Sequence, residues 1–198
     1  MFKTQKTILL IIFFIVASFT KVSAIEPDVF VQSTVNRAAE TLGGGLSKEE
    51  RIEELKKIAN DTVDIRGIGF YSLGSHRKNI SDAQKKEYEE VFSDYFLISF
   101  SSRLAEYSNP IISVDSKKKI NDNYTIVSST LAATAKRPAI KIEWRVYTKV
   151  KDKPLIRDLI IEGLSLARTQ KEEFNSIIQS ANGDINALFD NLKNFSNS

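Results

Sequence analysis

A change of rhythm at Asn109-Pro110 constrains this chain more than any other feature. Upstream, apolar residues recur every three to four positions; downstream, they recur every two. The first period belongs to amphipathic helices and the second to half-buried strands. Residues 139–150 give the clearest alternation. Ile140, Ile142, Trp144 and Val146 fall on one face, and Lys141, Glu143, Arg145 and Tyr147 on the other. Such a strand suits an antiparallel sheet with one face buried and one wet.

On the helical side, Pro27 opens a first helix at a position where its missing N–H costs little. Val31, Val35 and Leu42 form its stripe, and Gly43-Gly44-Gly45 stops it. Ser47-Lys-Glu-Glu50 reads as a capping box for a second helix bearing Ile52, Leu55 and Ile58. Residues 61–71 are less regular and predict a short helix or turn broken at Gly67 and Gly69. Ser81-Asp-Ala-Gln84 starts a long helix reaching about Tyr107, with Tyr88, Phe92, Tyr95, Phe96, Phe100 and Leu104 on a broad aromatic face. Asn109 ends it, since the residue before proline is pushed out of the helical region.

Past that point residues 111–120, 124–134, 139–150 and 155–166 predict four strands. Asn121-Asp-Asn123 and Lys151-Asp-Lys-Pro154 supply turns. Two helices close the chain. The first carries Phe174, Ile177 and Ile178 and stops near Asn182-Gly183. The second is capped by Asp184 and carries Ile185, Leu188, Phe189 and Leu192. The expected class is α+β: a single antiparallel twisted sheet of about four strands covered on one face by helices, with an N-terminal helical part and two C-terminal helices.

Residues 1–24 read separately, as a cleavable export signal, with an uncleaved N-terminal anchor as the alternative reading. Lys3 and Lys6 precede a short apolar run from Ile8 to Phe19, and Val22-Ser23-Ala24 offers small side chains for a peptidase. The run is short of the roughly 20 residues that a membrane-spanning helix needs. The remaining residues, 25–198, suit one exported domain with one core. Without Lys3, Lys6 and Lys21 the 28 basic residues fall to 25 and match the 25 acidic ones. A nucleic-acid or anionic-membrane binder needs a basic surplus, which that balance removes. No cysteine is present, so disulfides, thiol nucleophiles and thiolate metal sites are excluded.

Little else in the sequence carries chemistry. His76 lies in a polar loop, Ser75-His-Arg-Lys78, and reads as solvated. Asp61 and Asp64 read as a helix polar face or a turn cap. Asp158 and Glu162 share a strand face at a spacing of four, which a hydrolase pair could use. The opposite register, Leu155, Leu159 and Ile161, is more apolar, which predicts that both carboxylates lie on the wetter side or at the strand's edge and brace the turn at residues 163–165. Gly43-Gly44-Gly45 joins two helices and is a linker. Neither a catalytic residue nor a metal site is expected. The surplus of large apolar residues is compatible with a filled core or with a lined cavity, and the pattern alone does not choose.

The closing segment is more informative. Asp158-Leu-Ile-Ile-Glu162-Gly163-Leu-Ser165-Leu166, followed by Phe174, resembles the strand-turn-helix motif that ends the MlaC (toluene-tolerance, Ttg2) family. Leu73-Gly74, His76-Arg77, Gln84 and Val91-Phe-Ser-Asp-Tyr95 resemble an earlier block of that family. There are departures. Leu155-Ile156 stands where the family often has Trp, and Thr169-Gln170-Lys171 replaces Asn-Tyr-Arg, keeping the charge but losing the planar guanidinium fork.

The resemblance implies a soluble phospholipid carrier, an auxiliary component of an ABC transporter that maintains outer-membrane asymmetry. Its implied partners are phospholipid, an outer-membrane lipoprotein complex and an inner-membrane ABC transporter with an MCE-type substrate-binding subunit. No cofactor, nucleic acid or oligomeric partner is implied. The acyl chains are then expected between the sheet's apolar face and the helices. Phe92, Phe96, Leu104, Ile142, Trp144, Val146, Ile161, Phe174 and Ile178 are the lining candidates, each also a candidate for ordinary core. Two other readings stay open: an α+β enzyme of the nuclear-transport-factor-like type with Asp158 or Glu162 as base, and an envelope chaperone with an apolar groove.

Overall fold

The computed structural model describes residues 24–135, 137–150 and 152–197. The expected leader therefore lies outside the described residues except for Ala24. Helix α1 spans Pro27–Gly43 and α2 spans Lys48–Thr62, entered through the expected capping box between Ser47 and Glu50. A second capping box, between Ser81 and Gln84, starts the long helix α4, Asp82–Ala105. Each box satisfies a free N–H at both the cap and the third helical position.

Between them runs α3, Ile65–Ser72, followed by a 3₁₀ turn at His76–Lys78. The break expected at Gly67 and Gly69 does not occur. Asp64 caps α3 by accepting from the Gly67 N–H at 2.9 Å. Gly69 is there for proximity: a Cβ on it would lie 2.7 Å from Cδ1 of Phe92, so its bare Cα lets α3 and α4 close on each other. The Tyr88 hydroxyl donates to the Gly69 carbonyl at 2.9 Å and seals the same contact.

Five strands follow: β1 Ile112–Asn121, β2 Tyr124–Leu131, β3 Ile140–Tyr147, β4 Leu155–Ile161 and β5 Leu164–Ser165. They form one sheet in sequence order, and each neighbouring pair is antiparallel. The expected alternation in β3 holds, with Ile142, Trp144 and Val146 buried. The single strand expected over residues 155–166 is instead a hairpin. Glu162 (φ 49°) and Gly163 (φ 84°) both adopt positive φ, as a tight two-residue hairpin turn requires. That reversal makes β5 and brings Ser165 to the start of α5, Leu166–Ser180.

The pairing of β3 with β4 carries an irregularity. Arg145 faces Asp158, but the next pair is Val146 with Ile156, which leaves Arg157 as the extra residue. Its guanidinium donates to Asp64 Oδ2 at 2.5 Å and to the Tyr124 hydroxyl at 2.7 Å, and lies 3.6 Å from the Tyr147 ring centroid. The Asp64 N–H donates to the Ile156 carbonyl at 2.9 Å. The α2–α3 junction is thereby pinned to the edge of β4.

Helix α6, Ile185–Ser196, follows Asn182 and Gly183, both at positive φ, and is capped by Asp184. The buried core joins Val31 and Val35 of α1, Phe92 of α4, Val127 and Val146 of the sheet, and Phe174, Ile178, Leu188 and Phe189 of α5 and α6. Backbone-close packing joins α4 to α2, α3 and α6, and α5 to α3, α6 and β4. Long side chains, rather than close backbones, fill the space between α4 and the strands. Among the described residues no helix is long and apolar enough to cross a membrane.

Candidate functional site

A cavity of about 200 Å³ opens in that space, between the C-terminal half of α4, the N-terminal half of α5, and β3 and β4. Phe92, Phe96 and Phe100 wall it from α4. Their spacing of four puts them on one helix stripe, and the Phe96 and Phe100 rings stack at 5.4 Å. Trp144, Ile156 and Leu159 form the sheet side. The indole N–H of Trp144 donates to Ser129 Oγ at 2.8 Å, so its one polar atom is already satisfied. Ala167 and Leu166 complete the wall from α5.

At the mouth the lining turns polar. The Tyr95 hydroxyl donates to Gln170 Oε1 at 3.1 Å, and Gln170 Nε2 donates to Glu173 Oε2 at 3.1 Å. Arg103 borders the same opening and is exposed. Burial pushes the Tyr95 phenol pKa up, opposed by the hydrogen bond with Gln170; Glu173 adds to the rise and Arg103 counters it. The hydroxyl thus stays protonated and able to donate. A shallower groove, lined by Phe174, Ile177 and Phe195, adjoins the cavity across Tyr95, Gln170 and Glu173.

The expected placement of Asp158 is corrected by the structure, whereas Glu162 is exposed at the end of β4 as expected. Asp158 is only 4% exposed, because the chain reversal after β4 folds Ser165 and Ala167 back over it. One carboxylate oxygen accepts from Ser165 Oγ at 2.6 Å and the other from the Ala167 N–H at 3.0 Å, with Arg145 Nη1 at 3.9 Å. Ser165 is the N-cap of α5, so Asp158 anchors that helix, and the bracing expected of it is present. Glu162 sits outside β4, exposed in the turn, where Oε1 accepts from the Lys141 N–H at 2.5 Å. The two carboxylates do not converge. Asp61 pairs with Arg37, and His76 contacts Asn175 Oδ1 at 3.0 Å on the surface of α5. No cluster of potential metal ligands occurs among the described residues.

Of the nine lining candidates, Phe92, Phe96 and Trp144 border the cavity, and Phe174 borders the adjoining groove. Ile142, Val146 and Ile178 are buried in the core without reaching it, and Ile161 is half-buried beside Ile142 and Leu164. Leu104 turns away altogether and packs with Leu42, Leu55 and Ile58 of α1 and α2. Phe100 and Leu159 were legible as apolar positions. Nothing in their spacing marked Arg103, Gln170 and Glu173 as a rim.

The sequence profile of the MlaC protein family matches residues 32–194. Among solved structures, the chain is similar to the phospholipid-binding protein from Ralstonia solanacearum, which was determined in complex with a phospholipid. The TM-score is 0.72 at 17% identity, over 87% of this chain and 97% of that one. At that identity the likeness is one of fold.

Proposed function

This chain belongs to the MlaC family, and from that premise we propose that it is an exported phospholipid carrier of the periplasm. It receives and delivers lipid between an outer-membrane lipoprotein complex and an inner-membrane ABC transporter with an MCE-type subunit. The supporting observation is the apolar cavity walled by Phe92, Phe96, Phe100, Trp144 and Leu159, with a polar rim at its mouth. Two acyl chains of roughly 15 CH₂ groups each, at about 0.8 kcal/mol per CH₂, make crossing water unaided cost more than 20 kcal/mol. Enclosing the chains removes that cost without breaking a bond.

The cavity's about 200 Å³ is below the roughly 300–1,000 Å³ of ordinary small-molecule sites. Taking up two chains therefore requires widening. The place for it is the gap between α4 and the sheet, which side chains rather than closely approaching backbones fill. Asp158, with both oxygens accepting hydrogen bonds, is committed to the α5 start rather than poised as a base.

Protein purified from periplasm and analysed by intact mass and solvent extraction tests this reading. The chain should begin at Ile25 and carry about one intact phospholipid, with both ester bonds present. A lyso-lipid or free fatty acid that disappears in Asp158→Asn would make it a hydrolase. A bound small metabolite would favour the transport-factor-like enzyme, and an empty protein the chaperone.

A further inference from the structure

The cavity mouth carries two opposite charges that do not neutralise each other. Arg103 on α4 and Glu173 on α5 both border it and both are exposed. Arg103 forms no ion pair among the described residues. Glu173 is instead oriented by its neighbours. Because the Tyr95 hydroxyl donates to Gln170 Oε1, the amide Nε2 of Gln170 is aimed at the Glu173 carboxylate. That relay fixes an anion at the rim of an apolar chamber whose lining also includes the unpaired Arg103 guanidinium. Guanidinium groups match phosphate oxygens in charge and planar geometry. A held carboxylate pairs with an ammonium and disfavours a second anion.

Resting on the carrier reading, we infer that Arg103 and Glu173 select phospholipids with zwitterionic headgroups. Arg103 takes the phosphodiester and Glu173 takes a primary ammonium. A lipid whose headgroup is only anionic satisfies Arg103 but leaves Glu173 unpaired beside its phosphate. Tyr95 and Gln170 are positioning residues for the carboxylate.

The test is competitive loading. The mature chain is incubated with vesicles of equal phosphatidylethanolamine and phosphatidylglycerol, re-isolated, and its extracted lipid quantified. The wild type should enrich phosphatidylethanolamine about threefold, the size that one partly exposed ion pair supports. Glu173→Lys should invert that ratio. Glu172→Lys makes the same charge change on the neighbouring exposed residue, which does not border the cavity, and should keep the wild-type ratio. Arg103→Ala should lower loading of both lipids. Equal uptake by the wild type overturns the inference alone, as does a Glu172→Lys shift matching that of Glu173→Lys. No phospholipid uptake by the wild type overturns the carrier reading with it.

Discussion

Replacing Phe92 with alanine should lower the free energy of unfolding by about 3–5 kcal/mol, the range for deleting a buried aromatic ring. Phe92 is 2% exposed and meets four rings: Tyr88 at 5.6 Å, Phe96 at 6.0 Å, Phe174 edge-on at 6.0 Å and Tyr95 at 6.3 Å. It also fills the space that Gly69 leaves open. The loss joins a new void to the existing cavity, so little local collapse offsets it. A double-mutant cycle makes the cause specific. Gly69→Ala alone should be destabilising by overpacking, at about 1–3 kcal/mol, and most of that cost should vanish in the Phe92→Ala background. Urea unfolding measures all four proteins. Additive losses would mean that the two residues do not share the space.

Removing the Asp158 carboxylate is the second large effect. Asp158→Ala leaves the Ser165 hydroxyl and the Ala167 N–H without their acceptor. The Ala167 N–H is buried and the Ser165 hydroxyl half-buried; an orphaned buried donor costs about 1–3 kcal/mol and a half-buried one less, so a loss of about 2–3 kcal/mol is expected. Asp158→Asn should cost about half as much, since its amide oxygen still accepts from Ala167. Amide hydrogen exchange should localise the damage to the first turn of α5, one wall of the cavity. Unchanged stability together with loss of a chemical product would contradict the anchoring role.

The positions of these two residues show what the sequence discloses and what it withholds. The switch at Asn109-Pro110, the alternation in β3 and the caps at Ser47, Ser81 and Asp184 are local signals, and the fold follows them. The helix through Gly67 and Gly69 was not legible, because its reason is the approach of Phe92 from another element. The hairpin at Glu162 was hidden because a non-glycine residue occupies positive φ there. It is that hairpin which carries α5 back over Asp158 and buries a carboxylate expected on the wet side.

The same limit governs the cavity. Phe96 and Leu104 belong to one helix, and both read as apolar face. Eight residues of rotation against the neighbouring helices send the first to the cavity and the second to a separate cluster with Leu55. Ile142 and Trp144 share a strand face, but only the larger indole reaches the opening. Periodicity identifies which residues are apolar and inward. Whether inward means core or chamber depends on how far apart the layers stand, and long-range packing sets that distance.

Site-specific photocrosslinking tests the central claim most directly. A benzoyl-phenylalanine placed at Phe96 or Phe100, which wall the cavity, should capture phospholipid when the mature protein is irradiated after loading. The same probe at Tyr107, which is 41% exposed and outside the cavity, should not. Lipid adducts confined to the two α4 positions are the predicted result. Equal labelling at Tyr107, or no labelling at Phe96 and Phe100 in protein that carries lipid, would contradict the account.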